Sequence, residues 1–421
     1  MGKRKGEPGL IPGILFLFSS VSPAFSVTRI RKGNAILIKK QHESIRIMKK
    51  LERLAISCGG TGGHFFPGLS IAREFNRNGG KSLLLIGGKH ADAHAEHAAK
   101  YGIDFLKIPA LPLPNHPLKL LPFCLTTWKS ALLCRKHFLE FHPQALLAMG
   151  SFASLPPAAA RFLPGVHVPL FLHEGNALIG KSNRVLSRCA EKMALSFPAE
   201  NLEKAHCQTV VTGLPLRREI VENPPSKTEA VAEINRKYGS AFLPDLPVAL
   251  VFGGSLGAAS INGNFIPDGN IPGIERLQII HLSGPGKLEE VRKNYHHSPC
   301  REVLTLESCP DMQILYAAAD LVVSRAGGST VSELACFGKY AILIPFPFAA
   351  EHHQNNNARY LADAGGAEII DDSECSPQRF AEILTRFLAH PDEFAEKGRN
   401  ARKAAFPDAA MNVLRMIDDS L

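Results

Sequence analysis

The chain has 421 residues, 45% of them hydrophobic and 21% charged, with a formal net charge of +9. The length exceeds what one hydrophobic core usually organises and predicts two domains, while the apolar fraction excludes a disordered chain. The charge excludes little: nine Lys and Arg against two Glu put +7 of it in residues 1–47, which leaves +2 on Met48–Leu421 and no nucleic-acid footprint.

Residues 1–47 combine a basic start, an apolar run from Leu10 to Phe18 and small residues from Ser22 to Ser26. This is the outline of a signal peptide or short anchor. The competing reading is that translation begins at Met48, whose Met-Lys-Lys-Leu-Glu-Arg-Leu-Ala-Ile-Ser runs straight into a first strand. No later stretch holds the roughly 20 uninterrupted apolar residues that a spanning helix requires. Nine cysteines without a C-x-x-C pair, and no Cys/His run at ligand spacing, predict reduced thiols, a cytosolic compartment and no metal.

From Leu51 onward short apolar runs end in glycine or polar residues and alternate with longer mixed segments. Leu83–Ile86, Ala145–Ala148, Pro169–Leu172, Val248–Phe252, Leu277–Leu282, Leu321–Val323 and Ala341–Ile344 are the clearest. Such runs predict an α/β chain with parallel sheets covered on both faces, where ligands bind beyond the carboxyl ends of the strands. The boundaries expected are an extension over 1–47, a first domain over 48–217, a second over 218–395 and a terminal helix over 396–421 that returns to the first. The linker is expected in the polar, proline-containing stretch from Pro215 to Asp245.

Two strand ends resemble each other: Leu54-Ala-Ile-Ser-Cys-Gly-Gly-Thr-Gly-Gly-His64 and Val248-Ala-Leu-Val-Phe-Gly-Gly-Ser-Leu-Gly-Ala258. Glycines between strand and helix let backbone approach an anion, and the helix start favours phosphate. Neither turn is a Walker motif, and neither completes G-x-G-x-x-G. Each alone reads equally as a tight structural turn; two together suggest a nucleotide diphosphate. A third segment, Ser324 to Gly338, allows two readings of Glu333. It completes a capping box with Thr330 ahead of a stop at Gly338, or it accepts hydrogen bonds from ribose hydroxyls.

The motifs together resemble the MurG family of N-acetylglucosaminyltransferases. The matching segments are GGTGGHFFPGLSIA from Gly59, HEGNALIGKSNRVLSRCA from His173, TGLPLR from Thr212, GGSLGAASIN from Gly253, DMQILYAAADLVVSRAGGSTVSELACFGK from Asp311 and HQNNNAR from His353. The resemblance implies a GT-B fold, two Rossmann-like domains facing a cleft. It implies UDP-N-acetylglucosamine as donor, a lipid-linked muramoyl-pentapeptide as acceptor, inversion at the anomeric carbon and no cofactor; the absence of a D-x-D motif agrees. It further implies a place in peptidoglycan synthesis, and so in cell-wall biogenesis, shape, division and the cell cycle, with other cell-wall synthesis proteins as partners.

Carried over motif by motif, Thr61, Gly62 and Gly63 would lie near donor sugar and acceptor, with His64 as base or, alternatively, a structural imidazole at a helix start. Asn176 would hold the donor sugar, Arg217 the nucleotide, and Ser255 the diphosphate or an ordinary N-cap. Cys309 would meet uracil through backbone. Gly328, Ser329, Thr330, Val331, Ser332 and Glu333 would bind nucleotide, with Glu333 also part of the catalytic set, and Gln354 would read sugar hydroxyls. Gly175, Leu214 and Met149 depart from the family's usual Gln, Asn and Gly.

A lipid acceptor calls for a peripheral enzyme on the cytoplasmic face of the inner membrane. Within Phe105 to His142, Leu118, Leu120, Leu121, Phe123, Trp128, Leu132, Leu133 and Phe138 interleave with Lys107, Lys119, Lys129, Arg135 and Lys136. Apolar anchors among cations suit an anionic bilayer surface; an amphipathic core helix with a solvated basic face is the plainer reading. Three other functions share the donor features: a UDP-N-acetylglucosamine 2-epimerase, another GT-B glycosyltransferase, and a catalytically silent nucleotide-sugar sensor.

Overall fold

A computed structural model describes residues 48–421 apart from Leu113, Asn115, Pro117, Lys119 and Asp268. The leader-like segment 1–47 and Lys119 of the lipid-facing stretch therefore lie outside the described residues.

Among the described residues thirteen strands form two wholly parallel sheets. In the first half β1 (Arg53–Gly59), β2 (Lys81–Gly87), β3 (Asp104–Ile108), β4 (Ala145–Ala148), β5 (Leu170–Glu174), β6 (Lys192–Leu195) and β7 (Gln208–Val211) take the order β3-β2-β1-β4-β5-β6-β7. In the second, β8 (Val248–Phe252), β9 (Gln278–Leu282), β10 (Glu302–Leu306), β11 (Leu321–Ser324), β12 (Ala341–Leu343) and β13 (Ala367–Ile369) take the order β10-β9-β8-β11-β12-β13. The order reverses beside β1 and β8, and such switch points open a crevice at the carboxyl ends of the strands. Both glycine turns sit there.

Both faces of each sheet are buried, which explains the continuous apolar runs. Leu54, Ile56 and Cys58 enter one layer of the first core while Ala55 enters the other. Val248, Leu250 and Phe252 divide from Ala249 and Val251 in the same way. The halves belong to one compact unit. The stretch from Pro215 to Asp245 is not only a linker: it forms the helices Arg218–Val221 and Lys227–Tyr238, and the second buries Ala230, Val231 and Ile234 with Leu315 in the core of the second half.

The last helix, Ala409–Asp418, places Val413, Leu414, Met416 and Ile417 in the core of the first half. The Asp418 carboxylate accepts the N–H groups of Lys49, Lys50 and Leu51 at 3.0, 2.8 and 2.7 Å, which holds its carboxyl below the usual range against the opposing effect of burial. The chain's end thus pins the approach to β1, the strand that carries the first glycine turn.

Candidate active site

The first turn is built by sterics. Gly59 and Gly60 have φ of +124° and +80°, and a Cβ on Gly59 would lie 2.1 Å from Gly87 O, so only glycine fits. The turn feeds the helix Gly62–Arg77 through Thr61, whose extended backbone makes it the N-cap and whose carbonyl accepts from His64 N and Phe65 N. Gly62 and Gly63 thus carry N–H groups that precede the helical ladder. His64, next in line, brings its Nδ1 within 2.9 Å of Met149 O. A carbonyl can only accept, so Nδ1 carries the hydrogen and Nε2 is the basic nitrogen of the neutral ring.

Met149 keeps this carbonyl in place although it departs from the family's usual glycine: its side chain turns inward, close to Gly68. Beyond it Gly150 (φ +79°) and Ser151 (φ +73°) continue the bend, and Ser151 lies in a region L-residues avoid.

The carboxyl end of β5 supplies the next groups. Glu174 is buried, and its Oε1 accepts from Asn176 N (3.2 Å) and Asn176 Nδ2 (3.4 Å). Its Oε2 accepts from Gly180 N (2.8 Å) and Asn183 Nδ2 (2.9 Å). This one carboxylate therefore shapes the loop that presents Asn176. The departures Gly175 and Leu214 are neighbours in space, since a Cβ on Gly175 would lie 3.8 Å from Leu214 Cδ1.

The second half meets this loop. A Cβ on Gly328 would lie 2.2 Å from Gly175 O and 3.5 Å from Asn176 Oδ1, so the start of the helix Gly328–Phe337 abuts β5's loop. That helix begins at N-cap Gly327, three residues before Thr330, and Glu333 accepts from Tyr316 OH at 2.8 Å. The capping-box reading of Thr330 and Glu333 is thereby corrected: the glycine pair starts the helix earlier and leaves Glu333 one turn inside. The stop at Gly338, in the left-handed conformation, is as expected. Burial raises the Glu333 carboxyl, while Arg217 and the Tyr316 hydroxyl oppose that shift. Arg217 also donates to Pro310 O at 2.9 Å, which draws it beside Cys309.

Cys309 is buried, with its Sγ 3.4 Å from Tyr238 OH. Ser329, Thr330 and Ser332 are half-buried along the helix. Val331 differs: its side chain is in the core and its N–H bonds to Gly327 O, so its side chain supports the turn. Gln354, on the helix His353–Asp363, accepts from Phe346 N at 2.9 Å through Oε1. Ser255 is exposed on the second glycine turn, and the helix there starts at N-cap Ala258, which removes the N-cap alternative for Ser255.

The lipid-facing stretch divides. Phe105 and Lys107 belong to the edge strand β3, whereas Leu120–Phe141 is a helix. Ser130, Ala131, Cys134 and Phe138 form its buried side. Its outer side is apolar: Leu121, Leu125, Trp128 and Leu132 are 68%, 52%, 55% and 45% exposed at helical spacing, with Leu120 and Lys129 exposed and Phe123 half-buried. A core helix with a merely basic outer face is therefore excluded. Among the described residues no helix is long and apolar enough to cross a membrane.

Sequence reading missed Glu174, Asn183, Tyr316 and Asn357. All four stand inside the segments quoted above, and Glu174 also ends an apolar run, which was its signal; the partners of Asn183, Tyr316 and Asn357 are tertiary contacts that no local pattern encodes.

Two parallel-sheet, Rossmann-like halves, with a histidine at the first glycine turn and a half-buried carboxylate near an arginine, fit a glycosyltransferase of the GT-B class. Residues 54–195 match the glycosyltransferase family 28 N-terminal domain and residues 248–413 its C-terminal domain. The chain is 34% identical over 370 residues to the UDP-N-acetylglucosamine--N-acetylmuramyl-(pentapeptide) pyrophosphoryl-undecaprenol N-acetylglucosamine transferase of Geotalea uraniireducens, covering 86% of this chain and 96% of that one. It is 34% identical to the protein of the same name from Aeromonas hydrophila, covering 86% and 94%. The crystal structure of Acinetobacter baumannii MurG superposes with a TM-score of 0.66 at 27% identity, covering 87% and 99%. The chain belongs to the MurG family of N-acetylglucosamine transferases.

Proposed function

We propose that this chain transfers N-acetylglucosamine from UDP-N-acetylglucosamine to the muramoyl 4-hydroxyl of a lipid-linked muramoyl-pentapeptide, with inversion. The observation that carries this reading is the meeting of the Gly175–Asn176 loop with the helix start at Gly328. It brings an acceptor-side half and a nucleotide-side half to one place. In the tautomer whose Nδ1–H bonds to Met149 O, His64 Nε2 is the acceptor that removes the hydroxyl proton as the oxygen attacks. The C1–O bond to diphosphate breaks, and UDP leaves with both bonding electrons. Its developing charge is met by the helix start at Gly328–Thr330 and by Ser255. Glu333 and Arg217 hold the nucleoside end, with uracil against the backbone at Cys309; Asn176 and Gln354 hold the sugar, beside Thr61, Gly62 and Gly63. The second half, over 218–395, is the donor domain in this reading.

The exposed stripe Leu121, Leu125, Trp128 and Leu132 with Lys129 seats the protein on an anionic lipid surface at the cytoplasmic face of the inner membrane. Fully exposing such a side chain forgoes about 1.5–3 kcal/mol of burial, which lipid contact would recover. The test is transfer of labelled N-acetylglucosamine to a short-chain lipid-linked muramoyl-peptide by the full chain, His64→Ala and Glu333→Ala. Labelled disaccharide-lipid from the parent and none from either variant is expected. UDP binding without transfer by the parent would point to a sensor, and release of a 2-epimer to an epimerase.

A further inference from the structure

Asn357 lies one turn beyond Gln354 on the helix His353–Asp363, and its side chain is 0% exposed. Its carboxamide is engaged at both ends. Oδ1 accepts from Ala177 N at 2.8 Å, and Nδ2 donates to Ala326 O at 3.1 Å and to Asn176 Oδ1 at 3.2 Å. Ala177 and Asn176 belong to the first half and Ala326 to the second, so one side chain bonds across the junction.

Asn176 is thereby held in one orientation. A carboxamide has nearly the same shape with oxygen and nitrogen exchanged, so its partners alone decide which end points where. Here Asn357 Nδ2 fixes the oxygen and Glu174 Oε1 fixes the nitrogen. The approach to the helix supports the same junction. Glu351 and His352 take left-handed conformations, φ +52° and +54°, and Glu351 forms an ion pair with Arg184 of the first half. Non-glycine residues in that conformation cost energy that surrounding structure must offset.

We propose that Asn357 is a positioning residue for sugar transfer: it latches the two halves at β5's loop and orients the Asn176 carboxamide toward the donor sugar. The proposal rests on the reading that Asn176 holds that sugar. The groups assigned to the nucleotide, Glu333, Arg217 and the helix start at Gly328, do not use Asn357 as a partner. Loss of the latch should therefore separate sugar transfer from nucleotide binding.

The experiment compares the full chain with Asn357→Ala, Asn357→Asp, Asn176→Ala and the double variant Asn176→Ala/Asn357→Ala. It measures UDP affinity by calorimetry and kcat and KM for UDP-N-acetylglucosamine. Asn357→Asp keeps the acceptor for Ala177 N–H but sets a carboxylate oxygen against Ala326 O and Asn176 Oδ1. The expected result is kcat lower by about 100-fold in both Asn357 variants, the scale of a 1 Å misplacement, with UDP affinity within about twofold of the parent. The double variant should lose no more than the worse single one, because both substitutions remove one arrangement.

Losses that multiply in the double variant, or kcat within about threefold of the parent in Asn357→Ala, would overturn the proposal. So would loss of UDP binding in both Asn357 variants, which would make the residue a structural one. The parent separates the two readings. No transfer by the parent counts against the transferase; transfer by the parent with unaltered kcat in Asn357→Ala counts against the latch alone.

Discussion

The two glycine turns are nearly alike in sequence and differ in what they deliver. Both are pressed against the carboxyl end of the neighbouring strand: a Cβ on Gly59 would lie 2.1 Å from Gly87 O, and one on Gly257 would lie 2.0 Å from Ser283 O. Close packing at the switch point therefore accounts for a glycine in each, without any phosphate. Past that shared constraint they diverge. The first runs directly into a helix of 16 residues and sets His64 against Met149 O. The second folds back, Gly257 N to Gly254 O at 3.0 Å, and opens a helix of only 6 residues after lifting Ser255 into solvent. Glycine content identifies the place; the residues that the turn presents identify the chemistry.

The sharpest way to break this comparison is at His64. His64→Ala should lower kcat for transfer by about 10²- to 10⁴-fold, the usual contribution of a positioned base, and leave UDP affinity unchanged. A parallel fall in UDP affinity would show that both turns serve the nucleotide. Glu333→Gln should act the other way round. It should weaken UDP by about 1.5–3 kcal/mol, the worth of a hydrogen bond to a charged group, as read by calorimetry. Burial raises the Glu333 carboxyl, and in the proposed ribose-binding role its ionised form is the better acceptor, since protonation turns one oxygen into a donor. UDP affinity should then decline as pH falls through that raised value, and the decline should vanish in Glu333→Gln. A slope that persists in the variant would assign it elsewhere.

The difference between centre and edge also explains what the sequence revealed. The runs read as strands became β2, β4, β5, β8, β9, β11 and β12, all of them interior to their sheets. The four edge strands escaped notice: Asp104–Ile108, Gln208–Val211, Glu302–Leu306 and Ala367–Ile369 are half-exposed and carry charged or polar residues in place of continuous apolar runs. Interior β6 escaped for another reason, since Lys192–Leu195 offers three apolar residues after a lysine. At the site, residues on strand ends and glycine turns were legible because position and type coincide there. Asn357 was not, because its meaning is the pairing of an amide with a loop 180 residues away. Val331 shows the opposite case: it stands inside the segment assigned to the nucleotide, and helix periodicity turns its side chain into the core.

Ser255 offers a smaller test of the second turn. Ser255→Ala removes one exposed hydroxyl from a diphosphate site that also has the helix start at Gly328. UDP affinity should fall by about 0.5–1.5 kcal/mol, the net worth of an ordinary hydrogen bond, with folding stability unchanged because Ser255 caps no helix. A drop in melting temperature without a change in UDP affinity would return Ser255 to a structural role.

The smallest expected effect concerns what buttresses each half. His94 stacks on Phe65, one residue past His64, at 4.0 Å and 5° between ring planes, and its buried Nδ1 has no hydrogen-bond partner. In the second half His281 is buried too, but its nitrogens meet Tyr295 OH at 2.8 Å and Asn262 Oδ1 at 3.2 Å. Burial lowers His94 to about 4, helped by His90 and His97. Between the ordinary imidazole value of 6.5 and about 4 the unfolded chain binds a proton that the folded one refuses. Stability from this residue is thus complete above 6.5 and declines as pH falls toward 4, by on the order of 1 kcal/mol per pH unit. His94→Phe should be neutral or stabilising by about 1 kcal/mol at pH 7, since it removes an unpaired buried group and keeps the stack, and should flatten the acid limb of denaturant-derived stability. His281→Phe should instead destabilise at every pH, because it strands the Tyr295 hydroxyl and the Asn262 carboxamide in the core. If His94→Phe proved as damaging as His281→Phe, the buttress beneath the first turn would depend on the imidazole itself and not on an aromatic ring against Phe65.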